Sequence, residues 1–197
     1  MRRRETEDGY DYICTHVDDF KIVARDPERW QAHITGAFML KLIGPPSYYL
    51  GNDYNFSKEY NAWVVNCATY LKECVRRIES DPDLITDGVL WTQRTPLPEG
   101  CHPELDDSEL FAEHGIRKYQ MLIGMAQWAC TIGRLDIAFA VSSLSRFSEA
   151  PRAHHLELAC HLFGYLKKNP NRRIVVDSRP LMVDDELRRD SFHPDFF

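Results

Sequence analysis

The sequence predicts an α+β fold, with β-hairpins and one helix up to about residue 68 and a mainly helical remainder. Two patterns carry this reading. Short β-branched and aromatic runs broken by turn residues fill the first part, and apolar residues recur at helical spacing from Thr69 onward. Composition agrees: 44% of the 197 residues are hydrophobic, 27% charged and 12% aromatic, which excludes a disordered, collagenous or low-complexity chain.

The elements follow in order. Residues 1–10 read as a charged, ragged beginning. Tyr12-Ile13-Cys14-Thr15 and Phe20-Lys21-Ile22-Val23-Ala24 are strand-like, and the carboxylates between them make a hairpin the simplest reading. Asp26-Pro27-Glu28 is a helix start, followed by an apolar stripe of Trp30, Ile34, Ala37 and Phe38. Gly44-Pro45-Pro46 stops that helix, Tyr48-Tyr49-Leu50-Gly51 begins a short strand, and Ser57 to Asn66 completes a second hairpin. Thr69 to Glu79 carries Leu71, Cys74, Val75 and Ile78 on one helical side. Residues 80–107, interrupted by Pro82, Pro96, Pro98 and Pro103 and by Gly88 and Gly100, read as a loose linker or a long loop. Three helical stripes follow: Tyr119 to Ala126, Ile137 to Leu144, and Leu158 to Leu166 behind Pro151. Arg173 to Asp177 is strand-like, and the remainder is polar. The expected divisions are 1–68, 69–107, 108–176 and 177–197.

The formal charge is -6, from 24 Lys+Arg against 30 Asp+Glu. This argues against a general nucleic-acid coat but leaves room for a local basic groove. No apolar run is long enough to span a bilayer and the start lacks a signal peptide, so no membrane partner is expected and the location is intracellular (cytoplasm or nucleus) rather than secreted. The six cysteines form no CxxC pair and read as free thiols in a reducing compartment.

Asp18-Asp19 is the most informative pair. At a hairpin tip two adjacent carboxylates can approach one point, and they repel unless a cation neutralises them. A hard divalent ion takes such oxygen ligands, and with a second ion can clamp the oxygens of a phosphoryl transfer. On the dipeptide alone, a solvated Asp-Asp turn is the commoner outcome.

The neighbourhood changes the balance. His16-Val17-Asp18-Asp19 between apolar strands resembles the aromatic-x-Asp-Asp motif of reverse transcriptases. Phe38-Met39-Leu40-Lys41-Leu42-Ile43-Gly44 and Tyr48-Tyr49-Leu50-Gly51 resemble the next run of copia-type LTR retrotransposon polymerases. Lys118 to Gly124, then Arg134-Leu135-Asp136-Ile137-Ala138-Phe139-Ala140-Val141, then Leu144-Ser145-Arg146-Phe147, then Pro151, His155 and Tyr165-Leu166-Lys167 follow in the same order. The likeness runs from about Tyr12 to Lys168.

This resemblance implies a partial polymerase palm followed by a helical thumb and connection region. It implies nucleotidyl transfer with Mg²⁺ or Mn²⁺ on Asp18 and Asp19, and Lys41 as a basic residue beside the leaving pyrophosphate. His16 stands where the family usually has Tyr, beside the primer end, and Leu50 and Gly51 match the primer grip. Lys167, Lys168, Arg172 and Arg173, with Arg146, are the cations suited to phosphate. The implied partners are an RNA or DNA primer-template, dNTP, and the ribonuclease H and integrase domains of the same polyprotein.

A further metal carboxylate, which in the family precedes the Asp-Asp hairpin, has no counterpart in pattern here, since Asp11 and Asp53 lie outside it. The expected reading is therefore a polymerase fragment without activity on its own. The competing one is a non-catalytic relic that binds nucleic acid or protein. Arg134 and Asp136 are expected to pair structurally, and His154, His155 and His161 to be packing or surface residues rather than metal ligands.

Overall fold

The computed structural model describes residues 2–6, 9–17, 19–40 and 44–176. Asp18, Lys41 and the expected tail 177–197 lie outside the described residues.

A three-stranded antiparallel sheet comes first, in the order β1 (Arg2–Thr6), β2 (Gly9–His16), β3 (Asp19–Val23). Where it is described, the beginning is therefore paired strand and not ragged. Arg2 to Thr6 pairs with Gly9 to Ile13, so neighbouring backbone satisfies a run whose charges suggested solvent. In the second ladder Cys14 faces Lys21 and His16 faces Asp19, as the hairpin reading expects.

Helix α1 (Pro27–Thr35) starts where Asp26 accepts a hydrogen bond from the Arg29 backbone at 3.1 Å. It ends earlier than its apolar stripe suggested. Thr35 Oγ1 donates back to the Gln31 carbonyl at 2.7 Å and Gly36 occupies the C-cap, so Ala37 and Phe38 fall outside the helix and Phe38 is 59% exposed.

The second sheet runs β4 (Tyr48–Tyr49), β5 (Asn52–Ser57), β6 (Ala62–Asn66), β7 (Arg173–Val176), all antiparallel. Its last strand comes from the far end of the described chain, so this sheet crosses the expected boundary at residue 68. Register places Phe56, Trp63 and Val176 in one row, and the Phe56 and Trp63 rings meet edge-to-face at 5.8 Å.

The core lies among the helices α2 (Ala68–Glu79), α3 (Glu113–Thr131), α4 (Ala138–Ser145) and α5 (Ala153–Lys168). Leu71 and Ile78, Tyr119 and Leu122, Ile137, Leu144, Leu162 and Leu166 are fully or almost fully buried there. They are the residues whose spacing pointed to helices. Residues 80–107 are a strap rather than a loose linker. Leu90 is buried in the core, Leu97 and Cys101 pack against it, and Trp91 and Gln93 lie so close to α5 that only a glycine fits at Gly164. Among the described residues no helix is long and apolar enough to cross a membrane.

Candidate functional site

The strand ends His16 and Asp19 pair across the tip that contains the Asp-Asp dipeptide. Val17, at that tip, has φ 52° and is 91% exposed. Left-handed backbone is costly for a β-branched residue, about 1–3 kcal/mol, and such strain clusters at functional turns. His16 and Asp19 are exposed. Asp19 thus offers hard oxygen donors to solvent, a donor type that fits one ligand of a divalent ion.

The second hairpin approaches the first. Lys21 of β3 places its ammonium 3.8 Å from the Tyr54 ring centroid and 5.8 Å from that of Tyr49. Burial raises the Tyr49 hydroxyl above its ordinary value, and the charges of Cys14 and Asp19 push the same way. Leu50 and Gly51 form the two-residue turn between Tyr49 and Asn52, with φ 51° and 83°, the two positive values a type I′ turn needs. The resemblance matched Gly51 to the primer grip. In the fold Gly51 is buried, and a methyl group there would lie 3.0 Å from Trp128 Nε1 and 3.1 Å from Ile132 Cδ1. The close approach that requires glycine is made by α3. Beside it, the Asn52 side-chain oxygen is buried with no donor.

The basic residues near the end of the described chain that were expected to suit phosphate have different surroundings. Lys167 is drawn inward, donating to Glu79 Oε1 at 2.7 Å and to the Leu90 carbonyl at 2.9 Å. Lys168 is exposed. Arg172 lies 3.5 Å from Asp136 and over the Tyr165 ring, whereas Arg173 donates to the Tyr60 hydroxyl at 3.1 Å.

Two networks that the sequence only hinted at hold this frame. Arg134, fully buried, grips Asp136 through two hydrogen bonds of 2.8 and 2.9 Å and donates to the Asn169 carbonyl. Tyr165 donates to the same Asp136 at 2.8 Å. Burial alone would raise the Asp136 carboxyl, but the Arg134 and Tyr165 hydrogen bonds outweigh it and hold the group below 3.8. His155 is also buried: its Nδ1 accepts from the Arg152 backbone at 3.1 Å, its Nε2 lies 2.9 Å from the Pro103 carbonyl, and its ring stacks on Phe147 at 4.1 Å. His161 Nε2 lies 3.0 Å from the Thr95 carbonyl, and His154 pairs with Glu157 at 3.0 Å. These contacts are structural, as expected. Burial pushes Cys160 up to about 11, and Cys67 likewise against the lowering charge of Arg134, so neither is poised as a nucleophile.

No family model and no solved structure matches this chain. A curated protein does: "Putative transposon Ty5-1 protein YCL074W" of Saccharomyces cerevisiae, 31% identical over 166 residues. The chain is similar to this putative transposon protein. The matched region is 83% of this chain, which spans about half (51%) of the yeast relative's length.

Proposed function

We propose that this chain is part of a retrotransposon polyprotein, carrying the Asp-Asp hairpin, primer grip and thumb region of a copia-type reverse transcriptase. The observation that carries the reading is the junction of two hairpins: the one ending in His16 and Asp19 lays Lys21 on Tyr54 and Tyr49, next to the Leu50–Gly51 turn. The two motifs that such a polymerase sets on either side of a primer end are neighbours here. The kinship with a transposon protein supports the same reading.

In this reading Asp18 and Asp19 hold Mg²⁺ or Mn²⁺, and Lys41 faces the leaving pyrophosphate. The ion, when bound, supplies positive charge to the attacking and leaving oxygens. Asp19 presents its carboxylate, the strained Val17 turn fixes where that carboxylate points, and the second hairpin positions the primer strand. Primer-template and dNTP are the substrates, with ribonuclease H and integrase domains as partners in the polyprotein and an intracellular site of action.

Primer extension with Mg²⁺ or Mn²⁺ tests the proposal. The chain by itself is expected not to extend a primer, because two adjacent aspartates do not complete a two-metal site. Fused behind a palm segment bearing a further carboxylate strand, it is expected to extend, and Asp18→Asn is expected to abolish that extension. Undiminished synthesis in the Asp18→Asn fusion overturns the assignment. The second reading, a non-catalytic nucleic-acid- or protein-binding relic, is favoured by His16 in place of the usual Tyr; it predicts an inactive fusion and primer-template binding indifferent to Asp18.

A further inference from the structure

A cavity of about 430 Å³ lies between the short 3-10 turn Pro103–Leu105 and the outer side of α4. It is remote in sequence from the two hairpins, and of its walls only Arg146 was singled out from the sequence, as a cation suited to phosphate. Its walls include Leu97, His102, Glu104, Phe139, Arg146 and Phe147.

Three features give it a chemistry. The Phe147 wall is rigid, because its ring is stacked on the buried His155, itself hydrogen-bonded at both nitrogens. Phe139 stands at the rim with 80% of its surface exposed, although the opposite side of the same helix, Ala140, Val141 and Leu144, is buried. A large aromatic group held in water by an ordered helix is a stacking shelf lacking its partner. Arg146 lies 6.0 Å from the Phe147 centroid and has no carboxylate at ion-pair distance among the described residues. The acid of the cavity, Glu104, pairs with His102 Nδ1 at 3.0 Å and feels the charge of Arg146 only at longer range. The cavity thus offers a planar cation with no carboxylate at ion-pair distance among the described residues, beside one uncovered aromatic face.

A bare phosphate would leave Phe139 unused, and an apolar ligand would desolvate Arg146 with no carboxylate at ion-pair distance to it. A flat ring joined to an anion uses both, and a cavity of this size holds one such unit. The geometry points to a binding site for one nucleotide of a single strand, its base stacked on Phe139 and its phosphate paired with Arg146. This rests on the nucleic-acid reading above and adds to it a contact on the helical side, away from the Asp-Asp hairpin. Base stacking on an exposed aromatic is tolerant of sequence, so the site would track a strand rather than read it.

Fluorescence anisotropy on the full chain tests the site with two labelled probes, a short single-stranded oligonucleotide and a primer-template duplex without overhang. Phe139→Ser and Arg146→Gln are each expected to weaken single-strand binding about tenfold, and replacing the bases by abasic sites should remove the dependence on Phe139. Leu135→Ser, one turn earlier and 71% exposed but outside the cavity, is the control and should change nothing. Matching thermal unfolding of the variants shows that the fold is kept. Single-strand binding unchanged in both cavity variants, or absent in the parent chain, overturns the site. Duplex binding then decides separately whether the wider reading survives. A carboxylate-bearing aromatic peptide that competes through Phe139 and Arg146 where the oligonucleotide does not would also overturn it.

Discussion

At Gly51 a hydrogen atom in place of a side chain lets the β4–β5 turn sit against α3. Alanine there would meet Trp128 and Ile132 at 3.0 and 3.1 Å and would have to keep φ 83°. Gly51→Ala should therefore lower stability by about 1–3 kcal/mol, from strain and crowding together, read as an earlier urea midpoint. Adding Trp128→Phe should recover only the share of the crowding that comes from Trp128, leaving the Ile132 contact and the backbone strain. The sequence made a turn at Leu50-Gly51 legible, but not its partner, because a helix surface far along the chain leaves no mark on local pattern. Arg134 and Asp136 repeat the lesson. Their spacing announced an ion pair, whereas its burial and the shared hydrogen bond from Tyr165 could not be read. Removing one partner of a buried pair strands the other. Arg134→Met should cost about 3–5 kcal/mol and Arg134→Met with Asp136→Leu much less, a difference that a double-mutant cycle by chemical denaturation would measure.

Among the elements, the helices were the most legible, because their buried stripes repeat at a period that survives any tertiary context. The strap 80–107 was the least legible. Its prolines and glycines signal irregular backbone, and that is correct, but irregular backbone can still be pinned. Lys118 of α3 reaches Asp81 and Asp83 at 2.6 and 2.7 Å, and Lys167 of α5 reaches Glu79 and the Leu90 carbonyl. These contacts titrate. The Lys118 hydrogen bonds hold Asp81 and Asp83 below 3.8, and Lys167 holds Glu79 below 4.5. A depressed carboxylate contributes stability that is fully present above its ordinary value and lost as pH falls through its folded one. His161, lowered below 6.5 mainly by burial, works in the same sense over a higher range, since protonating it favours the unfolded chain. Melting temperature should thus begin to fall below pH 6.5 and fall more steeply below 4.5. In Lys118→Met the steep part should be shallower, because Asp81 and Asp83 lose the partner that depressed them.

At the scale of the whole molecule, the order of the motifs was legible and the distribution of stability was not. The helices enclose the core, and β7 ties the second sheet to them, with Ile174 against Gly133 and Arg172 beside Asp136. The described side chains of the first sheet are less deeply packed. None of the described side chains of β2 and β3 is buried and α1 buries only Ile34; the sheet meets its neighbours through contacts such as the Trp30 to Asp11 hydrogen bond at 2.9 Å, Lys21 on Tyr54 and Phe20 with Phe38 at 6.2 Å. Regions with few buried contacts open at lower free energy than the global unfolding. Hydrogen–deuterium exchange should find the amides of β2, β3 and α1 exchanging well before those of α3 and α5. If the Asp-Asp tip is the metal site of the proposed polymerase, Mn²⁺ should slow exchange in β2 and β3 selectively, because binding to the folded hairpin alone stabilises it by mass action. Asp18→Asn should abolish that protection while leaving α3 and α5 unchanged. Equal slowing across all elements, or slowing that persists in Asp18→Asn, would place the ion elsewhere and remove the hairpin from the catalytic reading.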